Sequence, residues 1–234
     1  GGAGRGAAGQ GVAGRGEARR GEAINYKGDP MGTVVKISKP TDIITRKVIL
    51  CGTADLMFDR YAGDNNTKLE PYQKLYFQPG DTKVIGIPAA NITSFLTAHN
   101  TNSAPKRLRD KRKFKDICNA CLSFVSISPS FIPLKRDQGG KSVPIEFGTL
   151  SDDVDPTSGV YIHRSVARLD KGIPNPKVRP VVPLPWELHF DLTIYPNSEV
   201  KEVDVQNLLE EGGRALGLGT FRGVFGKFIV GQWS

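Results

Sequence analysis

The clearest pattern of apolar and polar residues lies in WELHFDLTIY, residues 186–195. Its apolar positions recur at every second residue: Trp186, Leu188, Phe190, Leu192 and Ile194. Successive side chains of a strand point to opposite faces of a sheet, so this period of two predicts a strand with one buried face and one polar face. This strand is the most strongly predicted element of the fold.

The rest of the chain predicts the order strand, two helices, strand, finger, strand, helix, strand. The predicted strands are 43–56, 82–87, 122–128, 186–195 and 227–233, with a short strand near 74–77. The predicted helices are 89–98, 105–120 and 204–216. Gly212 and Gly213 lower the helix propensity of the last helix, and a close contact between helix and sheet would explain them.

Residues 129–183 differ from their surroundings because they are rich in proline and contain the turn signal DQGGK at 137–141. VPIEFG and GVYIHRSVARL within them are strand-like, so the segment is predicted to be a β-finger with little core of its own. The basic residues of this finger are Lys135, Arg136, Lys141, Arg164, Arg168, Lys171, Lys177 and Arg179. Without the finger the order is β-α-β-β-α-β, which predicts an α+β fold of ferredoxin-like or RRM-like type, with an antiparallel sheet.

The first 30 residues are rich in glycine and arginine and poor in bulky apolar side chains. Such a segment buries too little surface to offset its ordering entropy, so we expect residues 1–30 to be disordered. Two interpretations stay open: an RNA-binding arm of the Arg/Gly kind, or an extension that precedes a start at Met31. Residues 31–234 are predicted to form a single domain.

Composition limits the class of protein. The chain has 234 residues, of which 38% are hydrophobic and 24% charged, as is ordinary for a soluble globular protein. No apolar run reaches the roughly 18 residues that span a bilayer, and no signal peptide is visible. With three cysteines, these features predict a reducing, cytoplasmic location and no membrane partner.

The formal charge is +8 at pH 7. Such a surplus favours an acidic partner, with nucleic acid first among the candidates. A surplus of this size is also found in basic proteins that bind no nucleic acid, so charge alone leaves both interpretations open.

A strongly basic stretch, PKRLRDKRKFKD, lies in the second predicted helix. Seven of its residues from 106 to 115 are cationic: Lys106, Arg107, Arg109, Lys111, Arg112, Lys113 and Lys115. Like charges four residues apart repel on a helix, and a merely solvated face more often mixes signs. Phosphate binding therefore explains this stretch better than a solvated helix does, and each phosphate contact would release counterions.

The stretch GLGTFRGVFGKF, residues 217–228, joins the last helix to the last strand. It lacks the GxxxxGK[ST] pattern of a P-loop, and it follows a helix, whereas a dinucleotide-binding loop precedes one. One interpretation is a tight helix-to-strand turn. The other is a backbone surface that sugar and phosphate groups approach, with Arg222 and Lys227 supplying charge.

A ferredoxin-like domain whose last helix runs into a G-L-G-x-x-R-x-x-x-G-x-F loop and then a strand resembles the RAMP superfamily, the RNA-processing and RNA-coating proteins of CRISPR systems. The matching residues are Gly217, Leu218, Gly219, Arg222, Gly226 and Phe228. The finger resembles the thumb of the backbone subunits that polymerise along guide RNA. GTADLMFDRY, after the first strand, resembles the loop that follows the first strand in those subunits.

This resemblance implies a non-catalytic RNA-binding subunit that oligomerises along a single-stranded CRISPR guide RNA within an effector complex. The implied partners are guide RNA, copies of the chain, other subunits of a ribonucleoprotein and, as a further candidate, target nucleic acid; no cofactor or metal is implied. The candidate RNA-binding residues are Lys106, Arg107, Arg109, Lys111, Arg112, Lys113, Lys115, Arg164, Arg168, Lys171, Lys177, Arg179, Gly217, Gly219, Arg222, Gly226 and Lys227.

Two alternatives belong to other classes. A RAMP-type ribonuclease would use His99 or His189 as a general acid or base, or a loop aspartate after the first strand: Asp55, Asp59 or Asp64. A phage or mobile-element protein that borrows the fold would bind another protein complex and show no salt-dependent RNA affinity.

The CNAC motif at Cys118 and Cys121 is a single pair of cysteines. A structural zinc site needs four ligands, and no histidine lies at ligand spacing from the pair. Two buried thiols are therefore predicted.

Overall fold

The computed structural model describes residues 42–64, 66–97, 111–152, 159–168 and 174–234, with the backbone alone at 111–115 and 167–168. Within these ranges the elements are β1 (Ile44–Gly52), β2 (Leu56–Met57), β3 (Tyr76–Gln78), β4 (Asp81–Pro88), α1 (Ala89–Thr97), α2 (Lys111–Phe124), β5 (Val125–Ser128), β6 (Phe131–Gln138), β7 (Lys141–Pro144), β8 (Tyr161–Arg168), β9 (Pro174–Val182), β10 (Glu187–Ile194), α3 (Glu202–Ala215) and β11 (Phe228–Trp233). The predicted disordered segment 1–30 lies outside the described residues.

The main sheet is built around β10, the strand with the clearest alternation. Its order is β11-β1-β10-β6-β4-β3, with β5 also paired to β10 and β7 to β6, and its ladders are antiparallel. Leu188, Phe190, Leu192 and Ile194 are all buried, which confirms the predicted period of two. On the other face Asp191 is exposed.

Three helices contribute apolar faces to the same core as the buried side of β1 and β10. Ile92 and Phe95 of α1, and Val205 and Leu209 of α3, lie in one cluster with Phe190. Their spacings of three and four residues place these side chains on one side of each helix. The described chain is thus α+β with a mostly antiparallel sheet and three helices, an arrangement compatible with a ferredoxin-like core.

Segment 129–183, predicted as one finger, is divided between two sheets. β6 pairs with β10 and β4 in the main sheet, because Ile132 and Leu134 alternate as fully buried residues of the core. β8 and β9 form a hairpin that belongs to a second, three-stranded sheet with the order β2-β9-β8. This hairpin is the part of the predicted finger that lies outside the main sheet.

Two further boundaries differ from the sequence predictions. α2 continues to Phe124 instead of ending near residue 120, because Ile117, Ala120, Cys121 and Phe124 keep a helical spacing toward the core. The predicted strand 43–56 is interrupted after Gly52, where the backbone N–H of Thr53 turns to donate to Lys227 O at 2.7 Å. Beyond the break, β2 joins the second sheet.

The close contact predicted between the last helix and the sheet is confirmed at Gly213. A Cβ atom on this residue would lie 2.6 Å from the ring of Phe228 on β11, so only glycine lets α3 approach so closely. None of the described helices is both long enough and apolar enough to cross a membrane.

Candidate functional site

The glycine loop, residues 217–227, closes tightly on itself at its base. Gly217 and Gly226 have φ angles of +84° and +70°, a conformation that side chains with a Cβ rarely adopt. Leu218 N donates to Gly226 O at 2.9 Å, and a Cβ on Gly217 would lie 2.5 Å from the Gly226 carbonyl carbon. Both glycines are buried, so packing between the two arms of the loop explains them.

The loop also docks on the connection between β1 and β2. Gly226 N donates to Asp55 O at 2.7 Å, and Thr220 N donates to Met57 O at 3.1 Å. A Cβ on Gly219 would collide with Met57 O, which explains the third glycine of the predicted motif. The close backbone approach that these three glycines allow is therefore an approach to other segments of the same chain.

The tip of the loop is different, because it presents apolar side chains to solvent. Phe221 has a φ of +53° and is 51% exposed, and Val224 is 58% exposed. Gly223 has a φ of +92°, and a Cβ there would meet nothing within 4 Å. The tip thus has room around it that the base of the loop lacks.

Phe225 joins the loop to the β8–β9 hairpin. Its ring centroid is 5.9 Å from that of Phe221 and 5.2 Å from that of His163 on β8, and the second pair is edge-to-face. Phe225 packs on the small cluster of Met57, Tyr161 and Val181. We call this meeting point of Phe221, Phe225 and His163 the loop–hairpin corner. It was not predicted, although two phenylalanines four residues apart in a basic loop were visible in the sequence.

A cleft of about 470 Å³ separates the glycine loop from α1. Asn91, Ser94 and Thr97 line it from the helix, and Thr220 and Arg222 line it from the loop. Arg222 is exposed as a residue, although desolvation lowers the pKa of its guanidinium, which keeps its charge in proteins. Phe58, Ile87 and Phe95 also line this cleft, together with Asp59, so the predicted cation Arg222 lies at a cleft of mixed polar and apolar character.

A second cleft, of about 850 Å³, lies between loop residues 59–74 and the β8–β9 hairpin. It brings together Arg164 and Lys177, two predicted RNA-binding residues, with Arg60, Lys68 and Lys74. Asp59, Asp64 and Glu70 line the same cleft, so its charge is mixed.

Several predicted basic residues have partners within the chain. Arg179 Nε donates to Asp59 Oδ2 at 2.7 Å, and Arg164 Nη2 donates to Asp152 Oδ1 at 2.9 Å in an exposed pair. The Lys227 side chain is half-buried.

The remaining predicted cations fall where side chains are not described. Lys111, Arg112, Lys113 and Lys115 lie in the first turns of α2, and Arg168 ends β8, each with its backbone alone. Lys106, Arg107, Arg109 and Lys171 lie outside the described residues.

The three loop aspartates of the ribonuclease alternative all accept hydrogen bonds from other residues of the chain. Asp55 accepts from Tyr161 OH at 2.8 Å and from Leu184 N at 3.0 Å, so it ties the hairpin sheet to the loop after β1. Burial, and then the bond to Asp55, raises the pKa of Tyr161. Asp64 accepts from the Thr67 hydroxyl and from the backbone of Thr67 and Asn66, bonds that lower its pKa.

Of the two candidate histidines of that alternative, only His189 lies among the described residues. His189 Nε2 lies 2.8 Å from Glu187 Oε2 on β10. His99 lies outside the described residues.

Both cysteines of the CNAC motif are buried, as predicted, with Cys118 0% and Cys121 1% exposed. Burial raises the pKa of Cys121 to about 12. Among the described residues, no group of three or more His, Cys, Asp and Glu side chains is placed to hold a metal ion.

No protein-family model matches the chain, and none of the curated proteins searched matches it. A chain in the cryo-EM structure of the Type III-B Cmr-beta bound to cognate target RNA is similar to it, with a TM-score of 0.44 and 11% sequence identity. The similarity covers 82% of the present chain and 60% of that chain, so the present chain matches less than two thirds of its length.

Proposed function

We propose that the protein is a non-catalytic RNA-binding subunit that assembles with copies of itself along a single-stranded guide RNA, in an effector complex of the CRISPR kind. The proposal includes a ferredoxin-like βαββαβ core made of β1, the pair α1 and α2, β5, β10, α3 and β11. The order β11-β1-β10-β5 in the sheet supports this core.

The observation that carries the proposal is the loop–hairpin corner. The resemblance to RAMP proteins points to two RNA-binding segments, the glycine loop and the finger, which are far apart in the sequence. The ring of Phe225 in the loop contacts the ring of His163 in the hairpin, with 5.2 Å between the ring centroids. The two segments can therefore contact one RNA strand together.

The charge of the glycine loop supports an RNA partner. Residues 217–227 contain Arg222 and Lys227 and no acidic residue. The basic stretch 106–115 is a separate candidate for phosphate contacts, on its sequence alone. Contacts of this kind are made to phosphate and sugar, so they position a strand without reading its sequence.

The glycines have an indirect part in this function. Gly217, Gly219 and Gly226 let the loop pack on itself and on Met57. That packing orders the backbone on either side of the loop tip, so less backbone entropy is lost when RNA binds.

The test is a binding titration of the purified chain with a fluorescent, unstructured RNA of about 30 nucleotides, several times the site size of a single-strand-binding domain. The salt concentration is varied between about 50 and 200 mM. Arg222→Ala is expected to weaken binding about 10-fold and to reduce the salt slope by about 0.7, the contribution of one phosphate contact.

Arg214→Ala is the matched control, because Arg214 is an exposed arginine on α3 and its loss changes the net charge equally. We expect a smaller effect from this variant. Absence of RNA binding by the wild-type chain at low salt would contradict the proposed function. Equal losses in the two variants would remove the glycine loop from the interface and leave only a general effect of charge.

A further inference from the structure

We infer that Phe221, supported by Phe225 and His163, is a stacking platform for an unpaired base of single-stranded RNA. The inference rests on the proposed function and deepens it, because it assigns base contacts to a loop that otherwise contacts only the sugar–phosphate backbone.

Phe221 combines a strained backbone with an exposed apolar ring, and the fold alone does not explain either feature. Its φ of +53° lies in the left-handed region, which bulky side chains rarely adopt. The loop uses glycine at its other positions with positive φ, namely 217, 219, 223 and 226. Glycine at 221 would remove both the strain and the exposure of an apolar ring. Strain of this sort is found where a side chain is held for a function.

The ring of Phe221 is supported by two neighbouring aromatic side chains, Phe225 directly and His163 through Phe225. Phe225 lies 5.9 Å from Phe221 with the two ring planes inclined by 31°, and His163 meets the edge of Phe225 at 5.2 Å. Phe225 itself packs against the buried side chains of Met57 and Val181. The half-exposed ring of Phe221 therefore lies against a supported aromatic cluster, which reduces the entropy lost when another flat group packs on it.

The surroundings favour a nucleobase over an apolar protein partner. The residue next to Phe221 is Arg222, and the loop carries no carboxylate. An aromatic face stacks on any base while a nearby guanidinium takes the phosphate, the combination found in proteins that bind single strands with little sequence preference. The predicted binding is accordingly tolerant of sequence but dependent on bases.

The experiment compares two RNAs of equal length, one with bases and one with abasic sugars at every position, against the full chain. Phe221→Gly should weaken binding to the base-containing RNA about 5- to 140-fold, the range of one stacked base. It should leave binding to the abasic RNA unchanged. Phe221→Tyr should keep wild-type affinity for both RNAs, because tyrosine retains the aromatic face.

Two controls separate stacking from damage to the fold. Phe221→Gly relieves the positive φ but loses the ring contact with Phe225 and gains unfolded-state entropy, so its thermal midpoint should stay close to that of the wild type. Val224→Ala removes another exposed apolar side chain of the same loop and should change neither affinity.

Each contrary result is distinct. An unchanged affinity of Phe221→Gly for base-containing RNA would overturn the platform and leave the proposed function standing. Equal losses on both RNAs would assign the effect to the loop backbone. Unchanged RNA binding with loss of self-association would assign the ring to a contact between copies. No binding by the wild-type chain would overturn the platform together with the function.

Discussion

Gly226 lies between the backbones of Asp55 and Leu218. The glycine loop can close there only because this residue has no Cβ atom. A Cβ here would overlap Leu218 O, and φ is +70°. Gly223, three residues earlier, has a similar φ of +92° but open space around it. The two residues therefore separate the cost of a left-handed backbone from the cost of a steric clash.

Gly226→Ala is predicted to lower the free energy of unfolding by about 3 kcal/mol or more, because strain and overlap add. Gly223→Ala carries the strain alone and should cost about 1–2 kcal/mol. Urea unfolding followed by circular dichroism measures both values. Equal losses would mean that the arms of the loop move apart easily and that the packing at Leu218 contributes little.

At the scale of elements, Glu202 connects one helix, α3, with two strands of the main sheet, β1 and β11. It begins α3 and accepts from Arg46 of β1 at 2.6 Å and 3.0 Å, and from Trp233 Nε1 of β11 at 2.7 Å. An acidic residue in the first turn also faces the positive end of the helix dipole. The start of α3 is thus anchored to two neighbouring strands through one carboxylate.

Glu202→Gln is predicted to cost about 1–2 kcal/mol at pH 7, because charge-assisted hydrogen bonds become neutral ones. The hydrogen bonds from Arg46 are the main reason why the pKa of Glu202 lies below its ordinary value of 4.5. A lowered pKa gives stability that is present above the unfolded value and lost as pH falls through the folded value. The difference between wild type and variant should therefore shrink below about pH 4.5.

The control for this pH series is Glu199→Gln, an exposed carboxylate just before α3. Chemical unfolding at several pH values should show little difference between this variant and the wild type. A difference for Glu202→Gln that stays constant to low pH would show that the carboxylate's charge does not stabilise α3.

Elements were predictable where one local pattern determined them. β10 and α3 have a clear period of two or of three to four, and Pro88 marks the end of β4 directly before α1. The proline content of 129–183 and its DQGGK turn predict that β6 belongs to the finger, whereas Ile132 and Leu134 are buried in the main core. Its place beside β10 depends on long-range pairing, which no local pattern contains.

The candidate site was also predictable only in part, where a local motif revealed its residues. The glycines and Arg222 were visible as a motif, but their packing on Met57 depends on the path of another segment. Phe221 and Phe225 were visible without a role, since the partner of Phe225 is His163, on a hairpin distant in sequence. Side chains brought together by tertiary structure leave no spacing that a sequence pattern can detect.

At the scale of the whole molecule, internal pairing limits which cations are available to RNA. Arg179 is paired with Asp59 and Lys74 donates to Val178 O, so these two residues hold the hairpin to the body. Asp55 adds a third anchor through Tyr161 and Leu184. In the proposed assembly, the exposed Val166 on β8 of this anchored hairpin is a candidate contact to a neighbouring copy.

Assembly along RNA predicts that copy number follows RNA length. Mass measurements of complexes on single-stranded RNAs of increasing length should show masses that rise in steps of one 25.4 kDa chain plus the added nucleotides. The spacing is set by the footprint of the protein, so Arg222→Ala should lower occupancy at a given concentration while the number of nucleotides per copy at saturation stays the same. One copy on every length of RNA would contradict the assembly, and a spacing that changes with affinity would mean that the copies bind independently of each other.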